Sequence, residues 1–131
     1  MSTLDDLNRQ LEEKLREQKA YRDKASKLKS LYNELKGVKN AAENYKSTFD
    51  RFVEEEYVNF CGRVYNSEYC VEMKNIKTAY KNYIKNIDKN LDAINSKATW
   101  YYNKADSLNG IIGQIRALIR SAATLVENVF N

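Results

Sequence analysis

The chain has 131 residues, with no histidine, no proline and four glycines, a length that fits one domain. Without histidine it lacks the usual proton shuttle near neutral pH and the commonest metal ligand, so a Ser-His-Asp or Cys-His nucleophile is excluded. Charged residues make up 31% and apolar residues 43%, with a net charge of +4, a blend of long amphipathic helices rather than of disorder, and one that speaks against an enzyme.

The hydrophobic period is helical almost throughout. Helix 1 is expected over about residues 3–58. Leu4, Leu7, Leu11 and Leu15 form a first stripe. Through Tyr21 and Ala25, with a phase shift, it joins a second run: Leu28, Leu31, Leu35, Val38, Ala42, Tyr45, Phe49 and Phe52. Steps of three and four make that run a heptad seam. Gly37 lies inside it and weakens the helix without breaking it.

Residues 59–67 read as the turn of a hairpin. Asn59 and Gly62 tolerate positive φ there, and Asn66-Ser67-Glu68 reads as a helix cap followed by an acidic residue. Helix 2 is expected over about 68–108, with a further helical segment over about 111–129. Its seam runs through Tyr69, Met73, Ile76, Tyr80, Tyr83 and Ile87. After a stutter at Leu91 it continues through Ile94, Ala98, Tyr101, Ala105, Leu108, Ile112 and Ile115. Asn109-Gly110 and Gly113 mark the one place where this helix can bend or stop. The expected fold is therefore all-α: an elongated antiparallel helical hairpin, its second helix bent or broken near 109–113.

Cys61 and Cys70 cannot make a zinc site alone; two free thiols and one loop-closing disulfide both remain open. The N-terminus does not read as a signal peptide, and Ile111 to Val129 is interrupted by Arg116, Arg120 and Glu127, which excludes a membrane span. The scattered glycines form no phosphate-binding loop. No cofactor, metal or catalytic constellation is expected.

Two features remain. Ile111, Leu118 and Leu125 recur every seven residues off the main seam, with Trp100 extending the stripe. A folded-over third helix or an external helical partner are the two ways to cover it. Residues 1–56 hold 12 basic and 12 acidic side chains, so the rest of the chain carries the excess positive charge. Lys74, Lys77, Lys81, Lys85 and Lys89 form a basic ridge within it. A solvated helix face is the plain reading of that ridge; binding to nucleic acid or an anionic membrane is the alternative.

The arrangement resembles the small W-x-G helical-hairpin proteins of Gram-positive type VII secretion. Phe60-Cys61-Gly62 stands where those proteins carry an aromatic-x-Gly tip, with Phe60 in place of the usual Trp. Tyr102-Asn-Lys-Ala-Asp106 matches their Tyr-x-x-x-Asp/Glu export signal. In length, and in the Tyr80-x-x-Tyr83-x-x-x-Ile87 run, the chain looks closest to the α-helical partner proteins encoded beside LXG toxins. That resemblance implies a targeting factor that binds the helical N-terminal domain of an LXG-type toxin. A second small helical partner and, indirectly, the secretion ATPase would belong to the same assembly. It also implies a protein that is cytoplasmic at synthesis and a candidate for export with its cargo. A structural coiled-coil homodimer without a secretion role is the rival expectation.

Overall fold

The computed structural model describes residues 3–56 and 68–130, with side chains described as far as residue 125. These residues form two helices, α1 (Thr3–Glu56) and α2 (Glu68–Phe130). The fold is all-α, an antiparallel helical hairpin. With no proline anywhere, nothing in either sequence forbids the backbone ladder. Asp5 and Asp6 in the first turn of α1, and Glu68 in that of α2, complement the helix dipoles. Helices of this length take most of their stability from packing rather than from intrinsic propensity. The expected turn at 59–67 lies outside the described residues.

The second helix continues through Asn109, Gly110 and Gly113, so the expected bend or break there does not interrupt it. Leu108, Ile112 and Ile115 are all buried, and they hold the segment against α1 on both sides of the glycines. That packing outweighs a propensity deficit of about 1 kcal/mol per glycine.

The chain divides into two compact units, and each helix contributes to both. Unit 1 comprises Met1–Lys29 and Ser96–Asn131; unit 2 comprises Ser30–Asn95. In unit 1, Leu7, Gln18 and Ala25 of α1 are buried, as are Ala98, Ala105, Leu108, Ile112 and Ile115 of α2. In unit 2 the buried set is Ala42, Val53, Cys70, Met73, Ile87 and Leu91, with Phe49 packed against Val53, Cys70 and Met73.

Those positions correct the expected seam. Of the run from Leu28 to Phe52, only alternate members face inward. Leu31, Val38, Tyr45 and Phe52 are exposed, and their places in the seam go to Tyr32, Lys39, Lys46 and Val53. On α2, Tyr69, Ile76 and Tyr83 are exposed while Cys70 and Ile84 turn inward.

The physical reason is continuity. With the observed columns, α1 steps by three and four from Leu4 to Val53 without the phase shift at Ala25. Likewise α2 steps from Cys70 through Ile87, Leu91 and Ile94 with no stutter. An uninterrupted 3.5-residue repeat keeps one face against the partner helix, whereas each shift would swing it aside. The consequence is that lysines occupy seam positions in unit 2. Lys39 and Lys46 lie half-buried, their aliphatic stems packed and their ammonium groups reaching the rim.

Candidate partner-binding surface

Unit 2 has two unlike shoulders. On one, Lys39 Nζ lies 2.6 Å from Asp88 Oδ1, and Lys46 Nζ lies 2.7 Å from Asp50 Oδ2. Lys77 reaches to 4.0 Å from Asp50 Oδ1. The hydrogen bond to Asp88 holds the Lys39 ammonium above the ordinary lysine range, against a smaller opposing effect of burial. Glu43, Asp50 and Glu54 line a groove with Lys46, Lys81 and Ile84 on this side. The basic ridge from Lys74 to Lys89 is therefore partly answered within the molecule: Lys77 and Lys81 lie beside α1 carboxylates. A ridge so neutralised is a weak track for phosphates.

The other shoulder of unit 2 is apolar. Leu31, Val38, Tyr45 and Phe52 on α1 precede the seam column by one residue, as Ile76 and Tyr83 do on α2, which puts each about 100° off the seam. The contacts Lys39–Asp88 and Asp50–Lys77 bracket Tyr45 on α1 and Tyr83 on α2, so the two stripes share the same levels. Ile76, Ala79, Tyr80 and Tyr83 line a shallow groove there.

In unit 1 the expected interface residues are all at the surface: Trp100 is 44% exposed, Ile111 42%, Leu118 54% and Leu125 66%. Ile111 and Leu118 each precede an inward residue, Ile112 and Ile119, by one position. They fall in the same seven-residue column of α2 as Tyr69, Ile76 and Tyr83. Among the described residues no third element covers them, so the folded-over third helix is not found there.

Trp100 is part of a larger cluster that residue-by-residue reading does not assemble. Its ring meets Tyr21 edge-on at 6.4 Å and Tyr101 at 4.9 Å, and Tyr21 lies 6.2 Å from Tyr101. Lys97 Nζ sits 4.6 Å from the Trp100 centroid and 5.4 Å from that of Tyr101. Lys104 lies 5.3 Å from Trp100, and Lys24 lies 5.5 Å from Tyr101. These are cation–π distances. The α2 half was legible as Lys97-x-x-Trp100-Tyr101-x-x-Lys104, a spacing that places the four on neighbouring turns of one helix face. The α1 half becomes visible only once Tyr21 and Lys24 are known to pack beside it.

One seam position of unit 1 is polar. Gln18, only 5% exposed, donates from Nε2 to the Ala105 carbonyl at 2.9 Å and to Asn109 Oδ1 at 2.7 Å. The small side chain of Ala105 leaves its backbone oxygen within reach. Sliding either helix would strand the buried Gln18 amide, so the contact favours one alignment of α1 on α2 in unit 1.

Tyr102 and Asp106 are exposed, one helical turn apart, and form no hydrogen bond or ion pair among the described residues. The tip residues Phe60 and Gly62 lie outside the described residues, as does Cys61. Cys70 is buried and disulfide-bonded, which removes the free-thiol reading for it. Among the described residues no group of His, Cys, Asp and Glu is placed to hold a metal ion, and no helix is long and apolar enough to cross a membrane. The chain matches no family model, no curated protein and no solved structure.

Proposed function

We propose that this chain is a non-enzymatic targeting factor that packs side by side with the helices of another protein. The cargo that fits the resemblance is the helical N-terminal domain of an LXG-type toxin bound for type VII secretion. The observation that carries the reading is the row Ile111, Leu118 and Leu125. Three large apolar side chains are exposed at heptad spacing beside a seam that is already filled, the pattern by which one helix presents anchors to another. Apolar side chains aligned along one column need a cover that a lone two-helix pair does not supply. Tyr102 and Asp106, exposed and unengaged, would be open to the secretion ATPase in such a complex.

Co-expression with the N-terminal domain of an LXG-type toxin from the same genome should yield a complex that survives size-exclusion chromatography. The triple variant Ile111→Glu, Leu118→Glu, Leu125→Glu should lose it while keeping its helical circular dichroism. A complex unaffected by those changes would refute this interface.

One observation favours a second reading, self-association as a structural coiled coil. The apolar shoulder of unit 2, from Leu31 to Phe52 with Ile76 and Tyr83, is self-complementary in chemistry. Light scattering decides between the two: a stable dimer of the isolated chain, broken by Tyr45→Glu and Tyr83→Glu, would favour the second.

A further inference from the structure

The row that carries Ile111, Leu118 and Leu125 does not stop at Ile111. Seven and fourteen residues earlier, in the same column of α2, stand Lys104 and Lys97. Within unit 1 a single helix face therefore changes character along its length, from three apolar anchors to two cations. Lys24 joins the cations from α1, and with Lys27 and Lys97 it lines a groove floored by Leu28 and Tyr101.

These lysines differ from three lysines of unit 2. Lys39, Lys46 and Lys77 each lie within 4.0 Å of a carboxylate. Among the described residues none of Lys24, Lys27, Lys97 and Lys104 is in an ion pair. Three of them rest instead against the Trp100 and Tyr101 rings. Glu17, one heptad from Lys24 on α1, is held by Lys14 at 3.4 Å. A ring face orients an ammonium group without neutralising it. The cluster is thus a set of positioned, uncompensated positive charges, and ordering them in advance lowers the entropic cost of meeting an anion.

We infer that unit 1 recognises a partner helix of a particular composition: an apolar heptad stripe that gives way, over the next two heptads, to carboxylates. The inference rests on the docking function proposed for the chain and specifies its partner. The apolar stripe covers Ile111, Leu118 and Leu125, and the carboxylates meet Lys104, Lys97 and Lys24. Two observations favour an acidic helix over a nucleic acid strand. The Trp100 ring already carries two ammonium groups, so a base stacks on it only by displacing them. A phosphate backbone would also leave the apolar end of the row uncovered, whereas one helix with a heptad repeat spans both ends.

Trp100 is the only tryptophan of the chain, so its fluorescence reports directly on this site. The probes are two synthetic five-heptad helical peptides without tryptophan. Both carry leucine at one position of three heptads; at the same position of the next two, one carries glutamate and the other glutamine. A single-stranded oligothymidine of about 30 nucleotides is the third probe. The glutamate peptide should bind about tenfold more tightly than the glutamine peptide at low salt, and the gap should close as salt rises. In the variant Lys97→Gln, Lys104→Gln the gap should disappear while the glutamine peptide still binds.

Equal binding of the two peptides to the native chain overturns the acidic preference and leaves the docking reading intact. Oligothymidine binding more tightly than the glutamate peptide assigns the cluster to nucleic acid and overturns it as well. If neither peptide binds while the co-expressed complex forms, the inference fails and the docking reading stands; if neither the peptides nor the toxin domain bind, both fail.

Discussion

In unit 2 the shoulder beside the seam is laced by ion pairs, with Lys39 on Asp88, Lys46 on Asp50 and Lys77 near the same carboxylate. In unit 1 the corresponding work is done by one amide contact, buried Gln18 on exposed Asn109, and by an aromatic cluster whose lysines form no ion pair among the described residues. Both units are cut from the same two helices with the same heptad repeat, yet they use their charge in opposite ways. Unit 2 pairs Lys39, Lys46 and Lys77 with its own carboxylates and exposes an apolar shoulder. Unit 1 leaves Lys24, Lys97 and Lys104 without an ion pair among the described residues, next to an apolar row. Charge that is already paired is a poor handle for a partner, because a new contact must first break the old one. That difference is what directs the proposal of a partner site to unit 1.

The contrast between the units extends to their cores. Ile112 in unit 1 and Ile87 in unit 2 are equally buried. Ile112→Ala and Ile87→Ala should each destabilise the chain by about 2–4 kcal/mol in urea titrations. Hydrogen exchange should then quicken first in the unit that carries the change. If either variant accelerates exchange evenly along both helices, the two units form a single cooperative body and the contrast between them concerns surface alone.

How much of this was legible in the sequence depends on which column of each helix one follows. The helical period, the antiparallel pairing and the exposed Ile111, Leu118 and Leu125 are all written in apolar spacing. The seam of unit 2 is not, because two adjacent columns compete for it. The column of Leu31, Val38, Tyr45 and Phe52 is more apolar than that of Tyr32, Lys39, Lys46 and Val53, and residue type alone favours the first. The structure chooses the second, since only that column continues in phase from Gln18, Tyr21 and Ala25. A lysine stem can fill a seam position and a tyrosine can stay wet, so hydrophobicity is a weaker guide in this hairpin than unbroken periodicity. The cation–aromatic cluster was half legible on α2, and the Gln18–Asn109 contact was not legible at all, because it depends on register between residues 91 apart.

That contact supplies the next test. Gln18→Ala removes the donor from the Ala105 carbonyl and from Asn109, and it should cost about 1–2 kcal/mol. Gln18→Leu should recover most of that stability, since an apolar residue suits the position. If the amide specifies alignment in unit 1, the leucine variant should nonetheless show broadened or doubled resonances for Ala105 and Leu108. Sharp single resonances would show that the apolar steps set the alignment unaided. The ion pairs of unit 2 would then be the more specific device of the two.

The smallest expected effect concerns the glycines. A β-carbon added at Gly110 or Gly113 in unit 1, or at Gly37 in unit 2, meets no atom within 4 Å. None of these residues has positive φ, so none is required by the backbone. Each therefore carries only the entropic penalty of glycine in a helix, and each alanine replacement should raise stability by about 0.5–1 kcal/mol. Gly37→Ala serves as the reference, because α1 shows no other sign of weakness there. If Gly110→Ala and Gly113→Ala gain as much as Gly37→Ala, α2 is helical through 109–113 in solution because Leu108, Ile112 and Ile115 pin it on either side. A gain confined to Gly37→Ala, with loss at the other two, would mean that the segment bends on its own. In that case the row from Lys97 to Leu125 would not present one straight face to a partner helix, and the acidic and apolar halves of the inferred site would have to be filled separately.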